Sequence, residues 1–265
     1  MKNRIIKKGI NILFFYLLVS TSALAQTNKP LREFYHMTIY HYKTDSQEII
    51  LDKYLQNALL PALHRLKIKN VGVFKAIAND TASSKVLYVI MPVKSLDGLT
   101  MISAKLSVDR TYQSEGADYI NAKYSASPYT RMETILLHAF HLAPQMQLPQ
   151  LKGERKERVY ELRSYESATE KIFKNKVQMF NEGDEIGLFK KLNFNAVFYS
   201  VVVAGNKMPN LMYMTCFENK ADRDEHWKQF GSHPDWKRLS SLPEYKNNLS
   251  HIDITFLRPV DYSDY

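Results

Sequence analysis

The chain has 265 residues, 45% of them hydrophobic and 24% charged, with 9 glycines, 10 prolines and a single cysteine. This composition excludes a disordered or collagen-like chain, and one cysteine excludes both an intramolecular disulfide framework and a Cys-based zinc site. The formal charge of +9 falls to +5 once the four basic residues of the N-terminal leader described next are removed, too little to mark a nucleic-acid-binding protein.

Residues 1–25 read as a secretory signal. Lys2, Arg4, Lys7 and Lys8 precede an apolar run over 10–19, and Ala23-Leu24-Ala25 supplies the small-x-small cleavage pattern. The run is about half of the roughly 20 residues that a membrane span needs. The expectation is cleavage after Ala25 and a secreted or periplasmic protein with no stable membrane span afterwards.

Next comes an aromatic-rich strand over 33–42. A helix follows over 46–66, with Pro61 placed to kink or split it. Strands over 71–78 and 85–93 are joined by Asn79-Asp80-Thr81. A helical stretch starts at Ser95 and breaks near 108–112, and a strand covers 129–140. Residues 143–157 carry two prolines, a glycine and a charge run, and read as a linker. Beyond it the order recurs: a strand over 158–166, a helix over 168–192, strands over 195–204 and 211–218, a helix over 220–230, a broken helical stretch to 247, and a strand over 251–258. Gly205-Asn206-Lys207 turns between the middle strands.

The halves superpose at a nearly constant shift. Val73-Phe74 aligns with Val197-Phe198, Leu87-Tyr88 with Leu211-Met212, and Tyr112 with Trp236, all at 124 residues. The expected fold class is α+β: tandem ferredoxin-like β-α-β-β-α-β repeats over 31–142 and 158–265. Each four-stranded sheet would carry helices on one face and an apolar second face that must be covered. Two such sheets closing on each other within one chain supply the cover.

The second half carries a recognisable set of motifs. Val159-Tyr160-Glu161-Leu162-Arg163-Ser164-Tyr165 opens it, Arg223-Asp224-Glu225-His226-Trp227 lies on its second helix, and His233-Pro234-Asp235-Trp236 follows. Together these resemble the NIPSNAP family of the dimeric α/β-barrel superfamily over roughly residues 158–259. The first half is a divergent repeat, with His36-Met37-Thr38 where Glu-Leu-Arg stands in the second and Asp109-Arg110-Thr111-Tyr112 where His-Pro-Asp-Trp stands. The resemblance implies an intramolecular dimeric α/β-barrel, with further self-association left open. It implies no particular reaction.

No phosphate loop, dinucleotide fingerprint, nucleophile elbow or His-Glu-x-x-His motif is present. His36, His41, His138 and His141 fall on two strands that can neighbour each other, open to reading as metal ligands or as solvated strand-end groups. No metal is expected, and the cofactor is left unknown. His226 and His233 fit packing and helix capping. Cys216, in an apolar run, fits a buried small hydrophobe. The sharpest cluster is Glu161, Arg163 and Tyr165, which alternation puts on one strand face. If that face lines the space between the sheets, a carboxylate, a guanidinium and a phenol would meet a ligand; otherwise Glu161 and Arg163 form a structural pair. Glu161, Arg163, Tyr165, His36, Tyr40 and Trp227 are the candidate ligand-binding residues. The leading expectation is a binder of a small apolar or anionic molecule between sheet and helix layers. Relatives on this fold include cofactor-independent oxygenases and isomerases, so the resemblance also admits a monooxygenase- or isomerase-type enzyme; a protein-interaction module is the third alternative.

Overall fold

The computed structural model describes residues 30–265. The expected leader lies outside them. Both halves run strand, helices, two strands, helices, strand. In the first, β1 (Phe34–Tyr42), β2 (Gly72–Ala76), β3 (Lys85–Val93) and β4 (Arg131–Ala139) form an antiparallel sheet in the order β4-β1-β3-β2. In the second, β5 (Val159–Glu166), β6 (Phe198–Ala204), β7 (Asn210–Phe217) and β8 (His251–Pro259) repeat that order as β8-β5-β7-β6. The sheets join edge to edge, β2 with β8 and β4 with β6, and all eight strands close one barrel. Closure leaves no free sheet edge, which is how this architecture avoids edge-to-edge aggregation. It is an intramolecular dimeric α/β-barrel.

Alternation sorts the side chains. Tyr35, Met37 and Ile39 of β1 point into the barrel with Tyr160 and Leu162 of β5, while His36, Thr38 and Tyr40 point out to the helices. Both faces are therefore buried along β5 and β7, whereas β4 and β8 leave Met132, Ile252 and Ile254 exposed on the outer face. The barrel interior is filled by side chains from all eight strands. The 143–157 segment does more than link: Met146 and the C-terminal Tyr265 close one end of the barrel. Gly72 is what lets Tyr265 in, because a Cβ there would meet the Tyr265 and Phe74 rings at 2.9 and 2.5 Å. Cys216 is one of these interior residues, with its thiol pushed up in pKa by burial and donating to the Asn195 carbonyl.

The helices cover the outside. In the first repeat α1 (Asp45–Tyr54) continues through a π-helical turn, Leu55–Leu59, into α2 (Leu60–Arg65). Pro61 thus neither breaks nor splits the helix; the wider turn before it absorbs the missing N–H and the ring clash. Then come α3 (Leu96–Val108), α4 (Arg110–Glu115) and α5 (Ala117–Ile120). In the second repeat the single helix expected over 168–192 is two, α6 (Glu170–Asn181) and α7 (Glu185–Lys191). Asp184 between them takes a left-handed backbone at φ 64°, and a side chain at Gly183 would strike the Met179 carbonyl. The layer ends with α8 (Lys220–Ser232) and α9 (Pro234–Ser241). His233 caps α9 by accepting from the Asp235 N–H, with Pro234 at the first helical position. Among the described residues no helix is long and apolar enough to cross a membrane.

Candidate functional site

The shift is 125 residues between β1 and β5 and 124 between α3 (Leu96–Val108) and α8 (Lys220–Ser232), two helices each opened by a polar cap, Ser95 and Asn219. It makes the two spaces between sheet and helices directly comparable.

In the second repeat that space is closed. Glu161, Arg163 and Tyr165 turn toward α8 and α6, away from the space between the sheets. Glu161 has no solvent exposure, and four hydrogen bonds reach its carboxylate. Arg163 Nε donates to Oε1 at 2.6 Å, Arg223 donates Nε to Oε2 at 2.7 Å and a second guanidinium nitrogen to Oε1 at 2.8 Å, and Trp227 Nε1 donates to Oε2 at 2.8 Å. The Arg163 guanidinium lies 3.7 Å from the Trp227 ring centroid and donates to the Tyr165 hydroxyl, which shares a 2.8 Å hydrogen bond with Tyr213. Burial works against ionising Glu161, but the hydrogen bonds and charges of Arg223 and Arg163 overcome it and hold the carboxyl below its ordinary pKa. Around this array Phe180, Phe189, Phe194 and Phe230 pack ring on ring. Beside it Lys176 and Glu185 form a second buried ion pair at 2.9 Å. Arg223 and this Lys–Glu pair were not among the expected site residues. Arg223 was legible, since it and Trp227 are four apart on one helix face; Lys176 and Glu185 are nine apart across a helix break that periodicity does not show.

In the first repeat the same space is open. Where Glu161, Arg163 and Tyr165 stand, β1 has His36, Thr38 and Tyr40; where Arg223 and Trp227 stand, α3 has Leu99 and Ser103. The bulk that fills the second repeat is absent, and a cleft of about 550 Å³ lies between β1, β3 and the helices. His36, Thr38, Tyr40, Tyr54, Tyr112 and Gln113 give it hydrogen-bonding groups; Leu63, Met91, Leu99, Ile102 and Leu106 give it apolar walls. Among the described residues no lysine, arginine, aspartate or glutamate lines it. Its tyrosines are linked, partly through Tyr119 behind them: Tyr54 stacks on Tyr119 at 3.8 Å, the Tyr54 and Tyr112 hydroxyls are 2.9 Å apart, and Tyr119 donates to Tyr40 at 3.3 Å. Burial pushes the Tyr40 phenol up to about 12, so it stays a neutral hydroxyl at physiological pH. Burial also lowers the His36 pKa, which favours the neutral imidazole. The structure therefore splits the six expected residues into two groups, Glu161, Arg163, Tyr165 and Trp227 in the second repeat and His36 and Tyr40 in the first, and does not bring the groups together.

The other histidines of β1 and β4 have separate partners. His41 meets Glu133 at 2.7 Å, His138 stacks on Phe34 at 4.3 Å, and His141 meets Glu182 at 3.1 Å. The barrel end away from Met146 is polar. There Glu166, His251 and Asp253 bring three potential metal-ligand atoms within 4.8 Å of one another, with the Lys207 ammonium already on Asp253.

Residues 160–264 match the NIPSNAP family model, so the second repeat is a NIPSNAP domain. No curated protein matches the chain. Among solved structures it is similar to a monooxygenase-like protein from Lactobacillus acidophilus at 10% identity, over 86% of this chain and 94% of that one, with a TM-score of 0.58. A monooxygenase-like protein from Fusobacterium nucleatum is similar at 9% identity over 88% and 94%, with a TM-score of 0.54. A NIPSNAP-like domain protein from Burkholderia xenovorans matches at 18% identity over 41% of this chain and 90% of its own, with a TM-score of 0.36. The first two likenesses are of fold: a barrel spanning both halves.

Proposed function

We propose that this chain, whose residues 160–264 form a NIPSNAP domain, binds a small, neutral, largely apolar molecule in the cleft of its first repeat. One observation carries the reading: Ser103 stands where Trp227 fills the second repeat, and beneath it about 550 Å³ is left free. A cleft of that size with apolar walls and a few convergent polar groups is the usual form of a small-molecule site. The absence of charged lining selects against an anion, because an ionised group would be desolvated there without a partner. Hydroxyls of Tyr54 and Tyr112, the Gln113 amide and the His36 imidazole can orient a carbonyl or hydroxyl on the ligand. The Glu161–Arg163–Arg223–Trp227 array is, in this reading, the support of the second repeat. Native mass spectrometry of protein purified from its own host tests it. Wild type should carry a neutral adduct that Ser103→Trp lacks; the same adduct on both would place the ligand elsewhere.

A second reading adds turnover at the same cleft. It is favoured by His36, a neutral imidazole able to take a proton from a bound carbon acid, and it agrees with the monooxygenase-like proteins that share the fold. It predicts that the carried molecule is consumed under air by wild type, while His36→Gln still binds it and leaves it unchanged.

We also propose export, on the three-part leader of residues 1–25. The intact mass of the protein isolated from its host should begin at Gln26. Full-length chain in the membrane fraction would contradict this.

A further inference from the structure

A second feature of the first repeat lies on the opposite flank of α3. The stripe Gly98, Met101, Lys105 and Val108 recurs at three- and four-residue spacing and forms one helix face. That face is not packed: Met101 is 54% and Val108 78% exposed, and Ile102 is the buried residue of this 13-residue helix. Between the stripe and the 66–70 loop runs a groove of about 410 Å³ whose floor is apolar, with Leu66, Ile68 and Val93. Its rim is basic, with Lys67, Lys69, Lys94 and Lys105. Among the described residues the one carboxylate on the groove, Glu33, is engaged by the Met146 N–H at 2.8 Å.

We propose that this face docks on an anionic lipid surface. Its two components match the two components of such a surface: exposed apolar side chains for the acyl boundary, and a ring of lysines for the headgroup charge. A protein partner would need a shaped, mostly uncharged centre, whereas four exposed lysines around a shallow apolar strip suit a fluid array of phosphates. The inference stands apart from the ligand cleft, although Ile102 lines both spaces and docking would set the cleft beside the bilayer.

Co-sedimentation with vesicles tests the proposal, using the chain from Gln26 onward, which contains every described residue. Wild type should pellet with vesicles containing phosphatidylglycerol and stay in solution with phosphatidylcholine alone. Each lysine near the surface contributes about fivefold to partitioning, so reversing three weakens it by two orders of magnitude or more. Lys67→Glu/Lys69→Glu/Lys105→Glu should therefore abolish binding. Lys171→Glu/Lys174→Glu/Lys237→Glu, on exposed positions of the second repeat, changes net charge equally and should leave binding intact. Met101→Glu should also abolish it. All seven substituted residues are exposed, so thermal melts should match wild type and exclude unfolding. Equal losses in both triple variants, undiminished binding by Met101→Glu, or failure of wild type to bind would each overturn the proposal. So would uptake of a soluble anionic detergent monomer at the groove without vesicle binding, which would make it a site for a free amphiphile.

Discussion

Glu161 decides what the second repeat can do. A carboxylate without solvent exposure is stable only when its lone pairs are filled, and here two arginines and one tryptophan fill them. The members of the array are unequal in consequence. Arg163→Met removes one donor and a cation–π contact, but Glu161 keeps Arg223 and Trp227; the expected loss is about 1–3 kcal/mol. Glu161→Leu leaves two guanidiniums facing each other without their anion, and should cost about 3–5 kcal/mol. Urea unfolding of the two variants checks the ranking, and equal losses would mean that Arg163 alone balances the carboxylate. The array also has a pH signature. Because the folded state holds the Glu161 pKa below its unfolded value, the unfolded chain takes up the proton first as pH falls. The stabilisation is fully present above the ordinary carboxyl range and is lost as pH drops through the folded value. In Glu161→Gln the acid limb of the stability–pH profile should be shallower than in wild type; an unchanged limb would show that other carboxyls dominate acid unfolding.

The contrast between α3 and α8 is where the repeats diverge in use. Both follow the third strand of their repeat at the same shift, both are capped by a polar side chain, yet α8 drives Trp227 and Phe230 into an aromatic core and α3 has Ser103 and Leu106 at those positions. Trp227→Ala should open a second cleft and remove one of the two donors on Oε2 of Glu161, at a cost of about 3–5 kcal/mol measurable by denaturant unfolding. A loss below 1 kcal/mol would mean that the surrounding phenylalanines collapse into the gap. Much of this was legible in the sequence. The 124-residue shift that pairs Tyr112 with Trp236 also pairs Ser103 with Trp227, and strand alternation put Glu161, Arg163 and Tyr165 on one face. Alternation cannot say which face meets helices and which meets the opposite sheet when both are apolar, so the conditional placement of that cluster between the sheets went to the helix side instead. The π-turn ahead of Pro61 and the break at Gly183-Asp184 were also beyond reach, because both are set by local backbone geometry inside an otherwise helical pattern.

At the scale of the whole molecule, the two sheets depend on each other. Each has an inward face of large apolar side chains and two edges, and barrel closure satisfies both needs at once. The second repeat expressed alone from Glu157 should therefore dimerise through its own β6 and β8 edges, as light scattering can show; a stable, soluble monomer would count against the pseudo-dimer as the source of stability. Filling the barrel with side chains moves the room for a ligand outward, to the space between sheet and helices, and divergence of the repeats leaves it open in the first and closed in the second. That division of labour is tested most directly by titrating a neutral apolar dye such as Nile red against wild type, Ser103→Trp and Arg163→Met, all confirmed folded by circular dichroism. Saturable binding to wild type and Arg163→Met is expected, with at least a tenfold weaker affinity in Ser103→Trp; retention by Ser103→Trp with loss in Arg163→Met would put the site in the second repeat instead.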